Sequence, residues 1–463
     1  MDVVMTWQAY VSDTLRHGVS HLPVGRKAAS MFNSCMMQTG SQVDVIKEFM
    51  MKHGLAWPED PVGGSNPLEV LFDLAFNWNV NLWFSLKLLS STVDDHQKRR
   101  LFLAPYDHLQ FWRAISWQLN KTRYETVYSN FLKIFANNTN ELSPVRVAED
   151  YDTFKNVFEV LIASRTGKGR VPAMFPLSHL NNHIEAPTAK DLKPAIEKAL
   201  RIEPPFTMDD LLLVSDMDLL KRVLKICGDV KDRVVRRQLS WLFLQAYASV
   251  ANPAAVLRIL HGSEHRAQEE RLRFCSGQVE ASYKLLVSAM AAVAHFSEEE
   301  RKHVDSLLAA VQKTAVRKAS AVSWLDKITR QIAAEKLSSV RTVLWPAKKF
   351  LTAQGLEEAY ANFTDHASSF ASFWIETRRS QRALVGTEAG LQELLIGDSI
   401  AQPYAQYEHV MNRLSLSLGA LVPPLYYKSG TKAMQYGGLG YFYAKELVGA
   451  VDIEGVKVRL MHP

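Results

Sequence analysis

Cysteine is scarce in this chain: Cys35, Cys227 and Cys275 are the only three in 463 residues. So few exclude a disulfide scaffold, and the lack of any C-x-x-C pair excludes a thiolate zinc site. Long apolar runs are missing too. The best of them, Leu285 to Ala294, is about half a membrane span. The opening MDVVMTWQAYVSDTLRHG has an acid at its second position and no continuous apolar stretch, so it does not read as a signal peptide. As written, the chain therefore carries no signal peptide, anchor or membrane span. Glycine (22) and proline (18) are modest, which excludes low-complexity disorder. Neither sign of charge dominates, since 54 basic residues face 48 acidic ones. No basic run is interleaved with aromatics, so no nucleic-acid partner is expected.

What the sequence does contain is mostly helical pattern. Between Glu298 and Ser339, apolar residues recur at three- and four-residue spacing. Val304, Leu307, Leu308 and Val311 make one face, and Trp324, Ile328 and Ile332 another. Ser297 before Glu298, Glu299 and Glu300 is an N-cap with acids in the first turn. Met208–Ile226 and Arg233–Ser249 also read as helices, and Pro67–Leu89 as a buried helix leading into a strand. Residues 166–176 and 186–194 read as loops by composition. Towards the end, Gly and Pro concentrate and Leu414–Val422 alternates like a strand, so a boundary is expected near residues 385–400.

Three histidine pairs stand four apart. His17/His21 and His179/His183 have no Glu between them and read as surface or satisfied side chains. His261-Gly-Ser-Glu-His265 has the form of an inverted zinc motif, but that motif needs one continuous helix, and Gly262-Ser263 predicts a turn. Gly437-Gly438-x-Gly440 lacks the Lys-Ser/Thr pair of a phosphate loop. Tyr441-Phe442-Tyr443 reads as helix packing.

The informative stretch is NRLSLSLGALVPPLYYKSGTKAMQYGGLGYFYAKELVGAVDIEG, Asn412 to Gly455. It resembles the neprilysin and endothelin-converting-enzyme family of zinc metallopeptidases. Asn412, Leu414, Leu421, Pro423, Pro424 and Tyr426 fall on that family's N-x-I…Q-P-P-F-F segment. Ala433, Tyr436, Gly437, Gly438, Leu439 and Gly440 fall on or beside its Y-G-G-I-G segment, with matching spacing between the two. Ala28–Met36, Arg273-Phe274-Cys275 and Trp324-Leu325-Asp326 resemble further family segments, so the likeness runs from about residue 28 to 455.

The family's helix carries His-Glu-x-x-His, whose two imidazoles meet one zinc while the Glu polarises its water. In this sequence the two histidine positions hold Lys445 and Gly449. An ammonium has no lone pair to give a cation, and glycine has no side chain. Glu446 falls at the general-base position, and Asp452 at the position that supports a ligand histidine. The family's third ligand lies several tens of residues further on, beyond Pro463. On the family's peptide-holding edge strand, the Asn position holds Tyr404, followed by Ala405, Gln406 and Tyr407. A phenol cannot offer an amide's paired donor and acceptor.

The resemblance implies a mainly α-helical fold. Residues 1–390 would be the family's large helical lobe, and 391–463 a truncated beginning of its thermolysin-like α+β catalytic domain. It implies a Cys35–Cys275 disulfide, closing a loop of roughly 240 residues and contributing about 4–5 kcal/mol on chain-entropy grounds, with Cys227 a buried thiol. Asn120, Asn137 and Asn362 head N-x-Thr sequons, glycosylation candidates in a secreted chain. The function expected is that of a catalytically inactive homologue with no cofactor of its own, although the family's is zinc. Its partners would be peptides, or a protein covering the exposed lobe interface. The alternative is a zinc metalloendopeptidase of oligopeptides, here an incomplete gene model. The family's location is extracellular or membrane-associated.

Overall fold

In the computed structural model the described residues are 12–15, 22–89, 99–106, 120–136, 144–166, 172–184, 186–203, 205–397, 404–452 and 455. His17, His21 and Asn137 lie outside them. The fold is mainly helical, as expected, and divides into two compact units: Asn33–Leu272 with His366–Val385, and Met1–Phe32 with Arg273–Asp365 and Gly386–Pro463. Cys35 and Cys275 are both fully buried and joined in a disulfide. Cys227 is half-exposed rather than buried, because it lies in the last turn of an amphipathic helix, Met217–Asp229.

In the first of these units, helix α1 (Pro67–Asn77) starts where Asn66 Oδ1 accepts the Leu68 N–H at 2.8 Å and Pro67 fills the first helical position. Its apolar face leads into β1 (Phe84–Leu88), as the sequence predicts. β1 pairs antiparallel with β2 (Arg100–Pro105). The sheet is completed by β3 (Ala173–Pro176) and β4 (Leu211–Val214), in the order β1-β2-β4-β3. Two expectations fail here. Leu211–Val214 is a strand rather than the start of a helix, because a continuous apolar run suits a strand between two neighbours. Asp216 then caps the helix that does form, accepting from the Asp218 and Leu219 N–H groups. The expected loops at 166–176 and 186–194 instead contain β3 and a helix, Ala186–Leu200, with Pro194 inside it. Leu192, Ala195, Ile196, Ala199 and Leu200 bury one face of that helix, and this burial outweighs the proline. Helix α2 (Asp232–Ala251) carries Trp241, on which Trp57 stacks at 5.2 Å and Tyr128 packs at 5.0 Å. Each such aromatic pair adds about 0.5–1.5 kcal/mol beyond area burial.

The other unit is organised around α3 (Lys284–His295), whose first nine residues are all buried. The Lys27 ammonium donates to the carbonyls of Tyr360 (2.8 Å) and Phe363 (2.6 Å), fixing that turn without exposing a charge. Helix α4 (Glu298–Ser320) begins with the predicted cap, a full capping box between Ser297 and Glu300. The helical pattern breaks over 321–326 and resumes in α5 (Lys327–Ser338), started by Asp326. The α4 face Val304, Leu307 and Leu308 is buried. The second expected face is not: Trp324, Ile328 and Ile332 are exposed. A three-stranded sheet follows, of β5 (Arg341–Val343), β6 (Ala405–Glu408) and β7 (Arg413–Leu416), in the order β5-β7-β6. The strand expected over 414–422 stops at Leu416, and Leu418–Leu421 is a tight helical turn whose four residues are all buried.

Candidate functional site

Within the segment that carries the resemblance, residues 432–448 fold as one continuous helical stretch. Thr431 Oγ1 accepts the Met434 N–H and starts Lys432–Gln435. A wide turn over Tyr436–Gly440 leads into α6 (Tyr441–Val448). Gly438 is needed there. The Leu439 N–H donates to the Leu425 carbonyl at 2.9 Å, and a Cβ on Gly438 would fall 2.1 Å from that same oxygen. Gly438 therefore serves a close approach of two backbones, whereas a Cβ on Gly437 would meet nothing within 4 Å. Gln435 is buried and holds the stretch from the other side, bonding His303 Nε2 at 3.1 Å and the Tyr427 carbonyl at 3.3 Å. Tyr443, buried, reaches Thr342 Oγ1 on β5 at 2.7 Å. Burial pushes the Tyr443 hydroxyl pKa up. Within the Tyr441-Phe442-Tyr443 cluster, Tyr443 fulfils the packing expectation while Tyr441 is exposed.

On α6, Lys445 faces solvent with its ammonium 3.7 Å from the Glu446 carboxylate. Glu446 is partly buried, and its backbone carbonyl accepts the Gly449 N–H at 3.0 Å. Gly449 closes the helix in ordinary right-handed geometry. Beside it stands the Tyr407 ring of β6, and a Cβ on Gly449 would meet Tyr407 Cδ1 at 3.3 Å. Tyr407 is itself held in place. Its hydroxyl donates to Asn412 Oδ1 at 2.6 Å, and Asn412 Nδ2 donates to Ser339 Oγ at 2.9 Å. Asn412 has φ 45°, a left-handed turn that asparagine tolerates. Burial, with Glu408 and Asp452 nearby, pushes the Tyr407 hydroxyl pKa up.

Asp452 accepts the Gly455 N–H at 2.7 Å. Its charge acts on Lys336, a buried lysine whose ammonium donates to the Gly455 carbonyl. Burial pulls the Lys336 pKa down, and Asp452 opposes that shift. Tyr404 precedes β6, the edge strand. Its carbonyl accepts the Ser417 N–H at 3.0 Å, and its ring packs edge-on against Phe442 at 6.0 Å. Ala405 is buried opposite Leu416. The structure thus gathers Tyr404, Ala405, Lys445, Glu446, Gly449 and Asp452 around one helix and one edge strand. Sequence reasoning found these six but missed the part played by Tyr407, Asn412 and Lys336. The signals for that cluster were Asn412 in the family segment and Tyr407 on the family's edge strand.

The donor set does not suit zinc. The ammonium of Lys445 offers no lone pair, Gly449 offers nothing, and an aromatic ring fills the space beside it. The His409 ring packs edge-on against Tyr407 at 5.0 Å, and the described histidine pairs supply no ligand set. His183 stacks on Phe175 at 4.1 Å, and His179 is exposed. His261 ends the helix Pro253–His261 at left-handed Gly262, while His265 belongs to the next helix, Glu264–Ser282, 3.5 Å from Glu269. The predicted turn therefore separates the pair. Among the described residues no group of three His, Cys, Asp or Glu side chains could hold a metal ion, and no helix is long and apolar enough to cross a membrane. Asn120 is exposed and caps the helix Lys121–Phe135, while Asn362 lies exposed in the turn that Lys27 fixes.

Comparison with known proteins gives a consistent answer. The model of peptidase family M13 matches residues 8–344. Endothelin-converting enzyme 1 of Rattus norvegicus is 18% identical over 361 residues, covering 73% of this chain and 46% of that protein. Membrane metallo-endopeptidase-like 1 of Homo sapiens is 22% identical, covering 53% and 33%. The chain spans between a third and about half of the length of these curated relatives. Among solved structures, a Mycobacterium tuberculosis zinc metalloprotease in complex with an inhibitor aligns with a TM-score of 0.63 at 14% identity, covering 99% of this chain and 69% of that one. PepO from Lactobacillus rhamnosis aligns at 0.60 and 12%, covering 98% and 72%. At these identities the structural matches establish the fold.

Proposed function

Because the chain belongs to peptidase family M13, the neprilysin and endothelin-converting-enzyme family of zinc metallopeptidases, we propose that it is a non-catalytic member. It would bind a peptide or protein partner rather than cut one. The observation that carries this reading is the pair of family ligand positions, Lys445 turned to solvent and Gly449 packed against Tyr407. Glu446 then has no metal-bound water to act on and serves as a neighbour to Lys445. Asp452, with no histidine to support, supplies charge to Lys336 instead. We place the helical lobe at residues 1–390 and the family's catalytic portion from 391. The buried Cys35–Cys275 bridge supports an oxidising location outside the cytosol, where Asn120 and Asn362 are open to glycosylation.

Elemental analysis after dialysis against a weak chelator tests the reading. We expect less than about 0.1 zinc per chain, and no chelator-sensitive cleavage of a fluorogenic oligopeptide. Near one zinc per chain would overturn it. The family's own activity, a zinc metalloendopeptidase acting on oligopeptides, retains Glu446 in its favour and requires both metal and chelator sensitivity.

A further inference from the structure

A lysine is seldom buried unless an opposite charge pairs with it. Lys27, on the helix Arg26–Met37, is only 8% exposed, and its close partners are not carboxylates. Asp365 Oδ1 stands 4.0 Å away, and Asp365 is shared with Arg26 at 3.5 Å. The ammonium donates instead to three backbone carbonyls: Tyr360 at 2.8 Å, Ala361 at 3.3 Å and Phe363 at 2.6 Å. It has three N–H donors, one for each. The three carbonyls belong to the turn that follows the helix Ala353–Ala359. Carbonyls at a helix end lack partners within the helix and carry partial negative charge, so a cation is favoured there.

The carbonyls meet only the compact charge at the tip of the lysine, not its stem. Backbone carbonyls grouped in this way are what replace the hydration shell of potassium in selective pores. The distances decide which cations suit the cage. Oxygens at 2.6–3.3 Å lie too far out for magnesium, which needs about 2.0–2.1 Å, and for calcium, which needs about 2.3–2.6 Å and more ligands. A monovalent ion of ammonium size fits. The turn it fixes matters to the core. Tyr360 is fully buried, donates its hydroxyl to Glu393 Oε1 at 2.7 Å and accepts the Leu286 N–H of α3 at 3.2 Å. The cation therefore holds in place a side chain that ties α3 to the helix Glu388–Leu395.

We propose that the Tyr360–Phe363 turn is a monovalent-cation site, filled by the Lys27 ammonium and able to take potassium or ammonium ion once that side chain is shortened. Lys27→Ala removes charge and stem and opens the cage to ions. Lys27→Met removes the charge but keeps the stem in the way. The full chain and both variants are melted in potassium, ammonium or tetramethylammonium chloride at equal ionic strength. Tetramethylammonium has no N–H and is too bulky for the cage. In that salt both variants should melt below the parent. Potassium and ammonium should raise Lys27→Ala saturably, relative to the parent in the same salts. Its folded-to-unfolded ratio should double, about twofold, where the ion concentration equals its Kd. Lys27→Met should gain nothing. If Lys27→Ala is too unstable to melt, its refolding yield from guanidinium, with the disulfide kept oxidised, gives the same comparison. Three results would overturn the proposal: Lys27→Ala as stable as the parent, no advantage of potassium or ammonium over tetramethylammonium in melt or refolding yield, or equal rescue of Lys27→Met.

Discussion

A Cβ on Gly449 would stand 3.3 Å from Cδ1 of Tyr407 and 3.0 Å from the Glu446 carbonyl oxygen. The side-chain space at one family ligand position is thus filled from the neighbouring strand by a buried tyrosine, itself fixed by Asn412. Restoring the histidines is therefore not a matter of the helix alone.

Lys445→His with Gly449→His should fail to take up stoichiometric zinc, and should lower stability by about 1–3 kcal/mol through overpacking against Tyr407. Denaturant melts and elemental analysis check both parts. Adding Tyr407→Ala should cost less in that background than in the parent chain, because the two changes share one space. Strict additivity, or full zinc loading of the double variant, would contradict the packing account.

Breaking the Cys35–Cys275 bridge by Cys35→Ser should cost about 2–5 kcal/mol. Reductant should produce the same loss in the parent chain and none in the variant. Guanidinium melts with and without dithiothreitol make the comparison.

Stability should fall in acid partly through His295. This half-buried imidazole sits 2.7 Å from Thr14 Oγ1, and burial lowers its pKa from 6.5 to about 4, helped by nearby Lys428 and opposed by Asp13. The folded state resists a proton that the unfolded chain accepts. The stability present above pH 6.5 is therefore lost progressively as pH falls towards about 4. His295→Gln should flatten the melting-temperature profile over that window. An unchanged slope would remove His295 from the account.

Asp452→Asn should lower the melting temperature by leaving buried Lys336 without its opposing charge. The same substitution in a Lys336→Met background should have little effect. If Asp452→Asn is equally harmful in both backgrounds, Asp452 acts through the Gly455 turn instead.

Local chemistry was legible wherever neighbours in sequence decide it. Ser297 with Glu300 specified a cap, Gly262-Ser263 specified the turn that parts His261 from His265, and Lys445 and Gly449 declared by residue type that they cannot ligate zinc. The family segment likewise specified the wide turn before α6, because its spacing encodes the close backbone approach of Gly438 to Leu425. Other features depended on residues far apart in the chain. Leu211–Val214 became a strand because β2 and β3 flank it, and Ala186–Leu200 became a helix over Pro194 because its apolar face is buried. Periodicity alone put Trp324, Ile328 and Ile332 on a face, but could not say whether anything covers it. Tyr407 against Gly449, and Asp452 acting on Lys336, are relations across strand, turn and helix that no local pattern records. Residue type sets what a side chain can donate, accept or repel, whereas only the packed chain sets which groups meet and which are withdrawn from water.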